Sequence, residues 1–294
     1  MQWVTVLRPI ACGFAAWLVI LSYHICHQPI DWLMVWTTYV VSTAAMVLNG
    51  YFDRDIDTKK GIRGIPNSAS FYNYAVAWAI AAVVTCATVT ILRPSYCAVL
   101  SWVACFLSLS YGYVRVIPLI NNLWVAAAFC LLLSPHEQPS IHLFWGTFLF
   151  ILAREIMKDI LDVDHDFPFK FTIPLLCGVP TAEIVILGLL GITVFPLYPL
   201  SRPPEWWQVL IQPIAHQAGW TAQDTQLILT AESNSDFIVI STIILFFLSG
   251  MIQYRWRAIC DKTIKLEKIP TTREILVAMD IGWFVQCLFL WSRI

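Results

Sequence analysis

Long apolar runs follow one another along the chain from Pro9 to the last residue, with short polar stretches between them. Each run approaches the roughly 20 residues that a helix needs to cross the hydrocarbon core of a bilayer. The pattern therefore predicts an all-α, polytopic membrane protein, a bundle of about nine transmembrane helices. The predicted helices are Pro9 to His24, Asp31 to Asn49, Tyr74 to Leu92, Tyr96 to Val114, Ile117 to Leu133, His142 to Ile156, Thr181 to Tyr198, Phe237 to Tyr254 and Ile275 to Trp291.

Composition agrees with a lipid-embedded chain. Of its 294 residues, 59% are hydrophobic and 13% are charged, against roughly 25% charged in a typical soluble domain. Because no stretch between the apolar runs could form a separate soluble domain, we expect residues 1–294 to be a single transmembrane domain. Residues 201–236 carry prolines and two adjacent tryptophans, which predicts a non-cytoplasmic interfacial loop. A net charge of -1 without a basic run argues against a nucleic-acid partner.

The positive charges are distributed unequally between the two predicted membrane faces. Fifteen of the eighteen Lys and Arg residues fall on the side of the N-terminus, and only Arg93, Arg202 and Arg293 lie opposite. Lys and Arg accumulate in cytoplasmic loops of membrane proteins. We therefore expect a multi-pass protein whose N-terminus, and whose loops after the even-numbered helices, are cytoplasmic.

A first acidic motif closes the second predicted helix. Asn49, Asp53 and Asp57 recur at i, i+4 and i+8, which places three oxygen-bearing side chains along one helical face. Since this helix runs toward the cytoplasm, the motif crowds its C-terminal end, where the helix dipole is already negative. We therefore expect a cation to balance these carboxylates.

A second acidic motif closes the sixth predicted helix, with Asp159, Asp162 and Asp166 at i, i+3 and i+7. Oxygen ligands without His or Cys suit a hard ion such as Mg²⁺, which binds one or two carboxylates together with substrate phosphate oxygens. Two such motifs on one membrane face predict a site that grips a diphosphate through magnesium. Acids that merely solvate a loop are the competing interpretation, and the helix-dipole argument disfavours it.

Basic residues accompany both motifs on the same predicted face. They could bind phosphate oxygens directly, or they could be ordinary cytoplasmic anchors of the helices. The candidates for binding a substrate diphosphate are Arg8, Lys60, Arg63, Arg115, Lys158 and Lys170.

The two motifs resemble those of the UbiA superfamily of intramembrane prenyltransferases. The family pattern NxxxDxxxD is met by the first motif, and the pattern DxxDxxxD is met by the second. The resemblance implies a helical bundle around a central cavity, and two Mg²⁺ ions held by Asn49, Asp53, Asp57, Asp159, Asp162 and Asp166. It also implies catalytic roles for Asp53, Asp57, Asp162 and Asp166.

The resemblance further implies a reaction in which a prenyl diphosphate ionises at its C1–oxygen bond and an acceptor captures the allylic cation. Tyr111 and Tyr113 are candidates for stabilising that cation or lining the acceptor side, although packing explains either residue too. The acceptor stays open between small aromatic and lipid molecules. One reason is that Gly61 and Gly64 stand where the family commonly has loop prolines.

Two other functions remain as alternatives. A UbiA-type terpene cyclase would ionise the same diphosphate and let the prenyl chain's own double bond trap the cation, without an acceptor. A membrane transporter would need acids near the bilayer midplane, whereas the two motifs lie at predicted helix ends. Asp280 and Glu183 do fall within predicted helices, where a carboxylate is a functional candidate, but an internal hydrogen bond explains either one equally well.

Overall fold

The computed structural model describes residues 8–54, 68–114, 117, 119–131, 141–166, 171–197, 240–256 and 270–292. Within these ranges all regular secondary structure is helical. The ten helices are α1 (Pro9–Ile25), α2 (Trp32–Phe52), α3 (Ser68–Leu92), α4 (Tyr96–Val114), α5 (Ile120–Leu131), α6 (Ile141–Asp166), α7 (Ile173–Cys177), α8 (Val179–Leu197), α9 (residues 240–256) and α10 (Thr272–Ser292). All nine predicted helices have a counterpart, α7 is an additional five-residue helix, and the loop predicted at 201–236 lies outside the described residues.

Two groups of helices carry the two acidic motifs. Helix α6 contacts α5, α7, α8 and α10, while α2 contacts α1, α3 and α4. Contacts between α4 and α5 connect the two groups. The first motif therefore belongs to one group and the second motif to the other.

The lengths and compositions of the helices suit a membrane. Helices α2, α4 and α10, together with nearly all of α3, are long and apolar enough to cross a bilayer. Shorter apolar helices are α1, α5 and most of α8. Large apolar side chains also face outward: Ile10 is 88%, Phe246 80% and Ile91 78% exposed. Such a surface is unfavourable in water and favourable in lipid, which agrees with an integral membrane protein.

The sixth predicted helix is longer than the apolar run indicated. We expected it to end at Ile156, but α6 continues to Asp166 and has 26 residues. The apolar run stops where polar residues begin, whereas the helical backbone does not need apolar side chains to continue. An ion pair between Lys158 and Glu155, three residues apart at 3.4 Å, supports the additional turns. Most of the second motif therefore lies inside a helix.

The last helix begins earlier than its apolar pattern indicated. We expected a start at Ile275, but α10 begins at Thr272. The cause is a capping box: the backbone N–H of Thr271 donates to Glu274 Oε2 at 2.7 Å, and the backbone N–H of Glu274 donates to Thr271 Oγ1 at 3.2 Å. These reciprocal bonds satisfy donors that a helix start leaves without partners.

Candidate active site

A cavity of about 780 Å³ lies among α1, α2, α4, α5, α6 and α10. Much of its wall is apolar, with aromatic side chains such as Trp124, Phe129, Phe150 and Trp283. The charged residues on the wall are Arg8, Arg154, Glu155, Lys158 and Asp280. The cavity thus combines a long apolar surface with a small set of charged groups.

The first motif reaches this cavity through the last turn of α2. Asn49 lines the cavity, and its buried Oδ1 has no hydrogen-bond partner among the described residues. Asp53 caps the C-terminus of α2, where its backbone N–H donates to the Asn49 carbonyl at 2.8 Å. Both side chains belong to residues that are only 8% exposed. Asp57, the third member, lies outside the described residues.

The second motif is held by α6 and by a neighbouring helix. Asp159 is 7% exposed, and Asn122 of α5 donates from Nδ2 to Asp159 Oδ2 at 2.8 Å. Asn122 itself is 1% exposed, so this hydrogen bond is shielded from solvent. Asp162 lies one turn further along α6 and is partly exposed. Asp166 ends α6, and its side chain lies outside the description.

Tyr111 of α4 lies near both motifs. It lines the cavity, and the charges of Asp53 in the first motif and of Asp159 in the second both reach its phenol group. Lys158, on the same wall, interacts electrostatically with Tyr111, Glu155 and Asp53. The two acidic motifs therefore approach a common place at the polar part of the cavity, although 106 residue positions separate Asp53 from Asp159.

The structure shows only some of the predicted basic and aromatic residues on the cavity wall. Arg8 and Lys158 line the cavity, whereas Lys60, Arg63, Arg115 and Lys170 lie outside the described residues. Tyr111 lines the cavity as well. Tyr113 is 76% exposed, and its ring contacts Phe52 with centroids 5.8 Å apart.

The donor set near Tyr111 fits a hard divalent cation. Asn49 offers a buried amide oxygen without a hydrogen bond in the described part of the chain, and Asp53 and Asp159 are buried carboxylates. Oxygen donors of this kind suit Mg²⁺ better than zinc or copper. Among the described residues, no three His, Cys, Asp or Glu side chains cluster closely enough to hold a metal by themselves. Oxygens from a diphosphate would complete a coordination shell that these protein groups begin.

Arg154, a charged residue of the cavity wall, was not recognised as a candidate from the sequence. Arg154 donates to Asp280 of α10 through Nε at 2.7 Å and Nη2 at 3.1 Å, and through Nη1 to Glu155 at 3.2 Å. Its spacing of four residues before Lys158, on one helical face, was the available signal.

Glu183, the other carboxylate that the sequence placed within a helix, has a different environment. It pairs with Arg255 at 3.4 Å and accepts a hydrogen bond from the Trp256 indole.

Comparison with known proteins identifies the family. The sequence profile of the UbiA prenyltransferase family matches residues 9–237, well over half of the chain. The chain belongs to the UbiA prenyltransferase family. The resemblance inferred from the two motifs is therefore confirmed, and with it the class of enzyme, a transferase of prenyl groups.

Curated relatives of the chain come from archaea. A digeranylgeranylglyceryl phosphate synthase from Methanoregula boonei is 28% identical over 195 residues, which cover 60% of this chain and 66% of the relative. The synthase of the same name from Methanopyrus kandleri is 26% identical over 244 residues, covering 74% of this chain and 90% of the relative. The aligned segment thus spans about two thirds of the first relative and most of the second.

A solved structure shares the fold. The UbiA homologue from Archaeoglobus fulgidus bound to GPP and Mg²⁺ superposes with a TM-score of 0.60 at 14% identity, and the match covers 99% of both chains. At that identity the similarity establishes the common fold and nothing finer. The predicted all-α bundle is confirmed, and the described residues contain the cavity that the resemblance implied.

Proposed function

We propose that this chain is a magnesium-dependent intramembrane prenyltransferase that ionises a prenyl diphosphate and transfers the prenyl group to a small aromatic or lipid acceptor. The observation that carries the proposal is the wall of the cavity, where Asn49 of the first motif, with a buried amide oxygen that has no partner among the described residues, and Lys158, next to Asp159 of the second motif, line an otherwise largely apolar space. An amphiphilic substrate matches such a cavity, because its diphosphate head suits the polar groups and its isoprenoid tail suits the apolar wall. The family membership of the chain supports the same reaction.

The acids of both motifs are assigned to the metal. Asn49, Asp53 and Asp159, together with Asp57, Asp162 and Asp166, would hold Mg²⁺, and we expect two ions. Magnesium bound there supplies positive charge that stabilises the developing charge on the leaving diphosphate. The Archaeoglobus fulgidus homologue with GPP and Mg²⁺ supports this choice of ion and substrate class.

The basic residues of the wall orient the diphosphate. Arg8 and Lys158 line the same cavity as the buried Asn49, where their N–H groups would donate to phosphate oxygens. Lys60, Arg63, Arg115 and Lys170 are assigned the same role. Placing fixed positive groups where negative charge develops lowers the barrier to ionisation, because they need no reorganisation during the step.

The apolar part of the cavity accommodates the prenyl chain and excludes water. When the C1–oxygen bond breaks, the electron pair leaves with the diphosphate, and the allylic cation remains beside aromatic side chains. We assign the stabilisation of this cation to the ring of Tyr111, which lines the cavity, since aromatic faces attract cations. We assign Tyr113 to the same end of the site. A water-poor wall prevents early capture of the cation by water.

The names of the relatives bear on the identity of the acceptor. The curated relatives are named for a glyceryl phosphate that carries two geranylgeranyl groups, which favours a glycerol phosphate lipid. Small aromatic acceptors stay within the proposal.

The positive-inside pattern predicts that the motifs lie on the cytoplasmic side, where a water-soluble diphosphate product could leave.

The test is an assay of the full chain in lipid nanodiscs with geranylgeranyl diphosphate, with Mg²⁺ or EDTA, and with or without lipid and phenolic acceptors. We expect Mg²⁺-dependent release of diphosphate and a prenylated acceptor. Lys158→Ala should slow the reaction, whereas Arg93→Ala should not, because Arg93 pairs with Asp31 away from the cavity. If a cyclic hydrocarbon forms without any acceptor, the enzyme is a cyclase and the transferase proposal is wrong. If the substrate is translocated without release of diphosphate, the result favours a transporter.

A further inference from the structure

The ion pair between Arg154 and Asp280 lies on the cavity wall, between α6 and α10. Both oxygens of the Asp280 carboxylate accept from the Arg154 fork, at 2.7 and 3.1 Å. The third contact of the same guanidinium, at 3.2 Å, goes to Glu155. Three interactions fix the orientation of Arg154, and Arg154 in turn fixes the carboxylate of Asp280.

The pair lies well inside the helices that carry it. Asp280 follows the start of α10 at Thr272 by eight residues, roughly 12 Å along the axis at the helical rise per residue. A charge at such a depth is costly unless it is paired or faces the interior of the bundle. Asp280 meets both conditions, because it pairs with Arg154 and lines the cavity, and 42% of its side chain is exposed.

A second interhelical pair shows what a purely structural contact looks like in this bundle. Glu183 of α8 pairs with Arg255 of α9 at 3.4 Å, and the Glu183 side chain is 1% exposed. That pair also receives the Trp256 indole and does not line the cavity. Asp280 differs from Glu183 in both respects: 42% of its side chain is exposed, and the residue lines the cavity.

We propose that Asp280, held in place by Arg154, is a recognition subsite for a neutral hydroxyl group of the acceptor. The inference rests on the proposed prenyl transfer and specifies its acceptor side. The oxygens of Asp280 keep lone pairs beyond those used by Arg154, so they can accept a hydrogen bond from an O–H. A hydrogen bond to an ionised acceptor is stronger than one between neutral groups.

The charges around the subsite also select against anions. Glu155 lies beside Arg154 on the same wall and also pairs with Lys158, so the positive charges of Arg154 and Lys158 are balanced by the carboxylates of Glu155 and Asp280. A carboxylate or phosphate group placed against Asp280 would meet like charge in a poorly screened environment. The subsite therefore fits an alcohol or a phenol, while an anionic part of the acceptor would be directed elsewhere in the cavity.

The test compares equilibrium affinities of matched probes, which needs no turnover. One probe pair is geranylgeranylglyceryl phosphate and its methyl ether at the free hydroxyl; the other is a long-chain 4-alkylphenol and the corresponding anisole. The wild-type chain in nanodiscs should bind at least one hydroxyl probe on the order of 10-fold more tightly than its ether, the size of one hydrogen bond to a charged group. Equal affinities within both pairs would overturn the proposal.

Variants distinguish recognition of the hydroxyl group by Asp280 from a purely structural link between α6 and α10. The double change Arg154→Met with Asp280→Leu replaces the pair by apolar groups of similar size, an exchange that proteins often tolerate. It should abolish the hydroxyl preference, and Asp280→Asn alone should weaken it. The control Asp31→Asn alters an ion-paired aspartate at the N-cap of α2 and should leave the preference unchanged. Loss of thermal stability with the preference intact would show that the pair only ties α6 to α10 and would overturn the subsite.

Donor binding distinguishes this inference from the function on which it rests. The Arg154 and Asp280 variants should bind geranylgeranyl S-thiolodiphosphate with Mg²⁺ as tightly as the wild type, within about twofold. If the wild type binds this donor analogue but does not discriminate hydroxyl from ether, the subsite is wrong and the enzyme assignment stands. If the wild type does not bind the analogue at all, the proposed function itself is wrong.

Discussion

The two acidic motifs are held in different ways. Asp53 stands at the C-cap of α2, where the regular helix ends and its backbone N–H donates to the Asn49 carbonyl. Asp159 lies inside α6, with helical turns on both sides and a buried hydrogen bond from Asn122. The first motif is therefore positioned by the end of a helix, and the second by the interior of a helix together with a side chain of α5.

Removing a carboxylate from either motif should have the largest effect. Asp53→Ala or Asp162→Ala is expected to lower prenyl transfer on the order of 10³-fold or more, because charge stabilisation of the leaving group is lost. The rate is measured with Mg²⁺ and geranylgeranyl diphosphate in nanodiscs. Asp31→Ala, at the opposite end of α2, is the control and should cost a helix cap without comparable loss of activity. Unchanged rates in both site variants would contradict the assignment.

Removing the support of the second motif should have an intermediate effect. Asn122→Leu takes away the donor to Asp159 Oδ2 and should weaken Mg²⁺-dependent donor binding by roughly 10–100-fold, as loss of groups that orient metal ligands does. Titration with geranylgeranyl S-thiolodiphosphate measures this. Asn121 is the next residue and is also buried, at 3% exposure, so Asn121→Leu is the matched control. Equal effects of the two changes would mean that the contact with Asp159 has no special role.

Disturbing the packing at the first motif should have a smaller effect. A Cβ at Gly112 would clash with the ring of Phe52, so Gly112→Val must displace the residue next to Asp53. Overpacking of this kind costs about 1–3 kcal/mol, and a several-fold loss of activity should accompany the lower thermal midpoint. Restoring space with Phe52→Ala should recover activity. Gly188→Ala, which meets no atom within 4 Å, is the control.

The smallest effect is expected outside the cavity, at the start of α10. Thr271→Ala removes the hydroxyl that accepts from the Glu274 backbone N–H and should lower stability by about 1 kcal/mol. Donor affinity should not change, since neither Thr271 nor Glu274 lines the cavity. Thermal unfolding and donor titration on the same sample check both statements. A drop in donor affinity larger than twofold would show that α10 communicates with the motifs.

The sequence predicted the helices, and particular residues show why. Apolar runs reveal spans, and oxygen side chains at helical spacing indicate a shared face; Asn49 and Asp53 do lie together at the end of α2, while their role as metal ligands stays a prediction. The ends of α6 and α10 were not, because a helix continues through polar residues such as Lys158 when ion pairs and caps support it. Contacts between distant segments were also invisible. Neither Asn122 with Asp159 nor Arg154 with Asp280 leaves a periodic signal in one sequence.

The central claim is that both motifs hold one magnesium–diphosphate unit, and a double-mutant cycle measures this directly. The affinity for geranylgeranyl S-thiolodiphosphate with Mg²⁺ is determined for the wild type, Asp53→Asn, Asp159→Asn and the double variant. We predict a loss of at least 10-fold for each single change and a double loss far smaller than their product, because either change disrupts the same bound unit. Losses that multiply independently, or one single variant that binds like the wild type, would contradict a shared site.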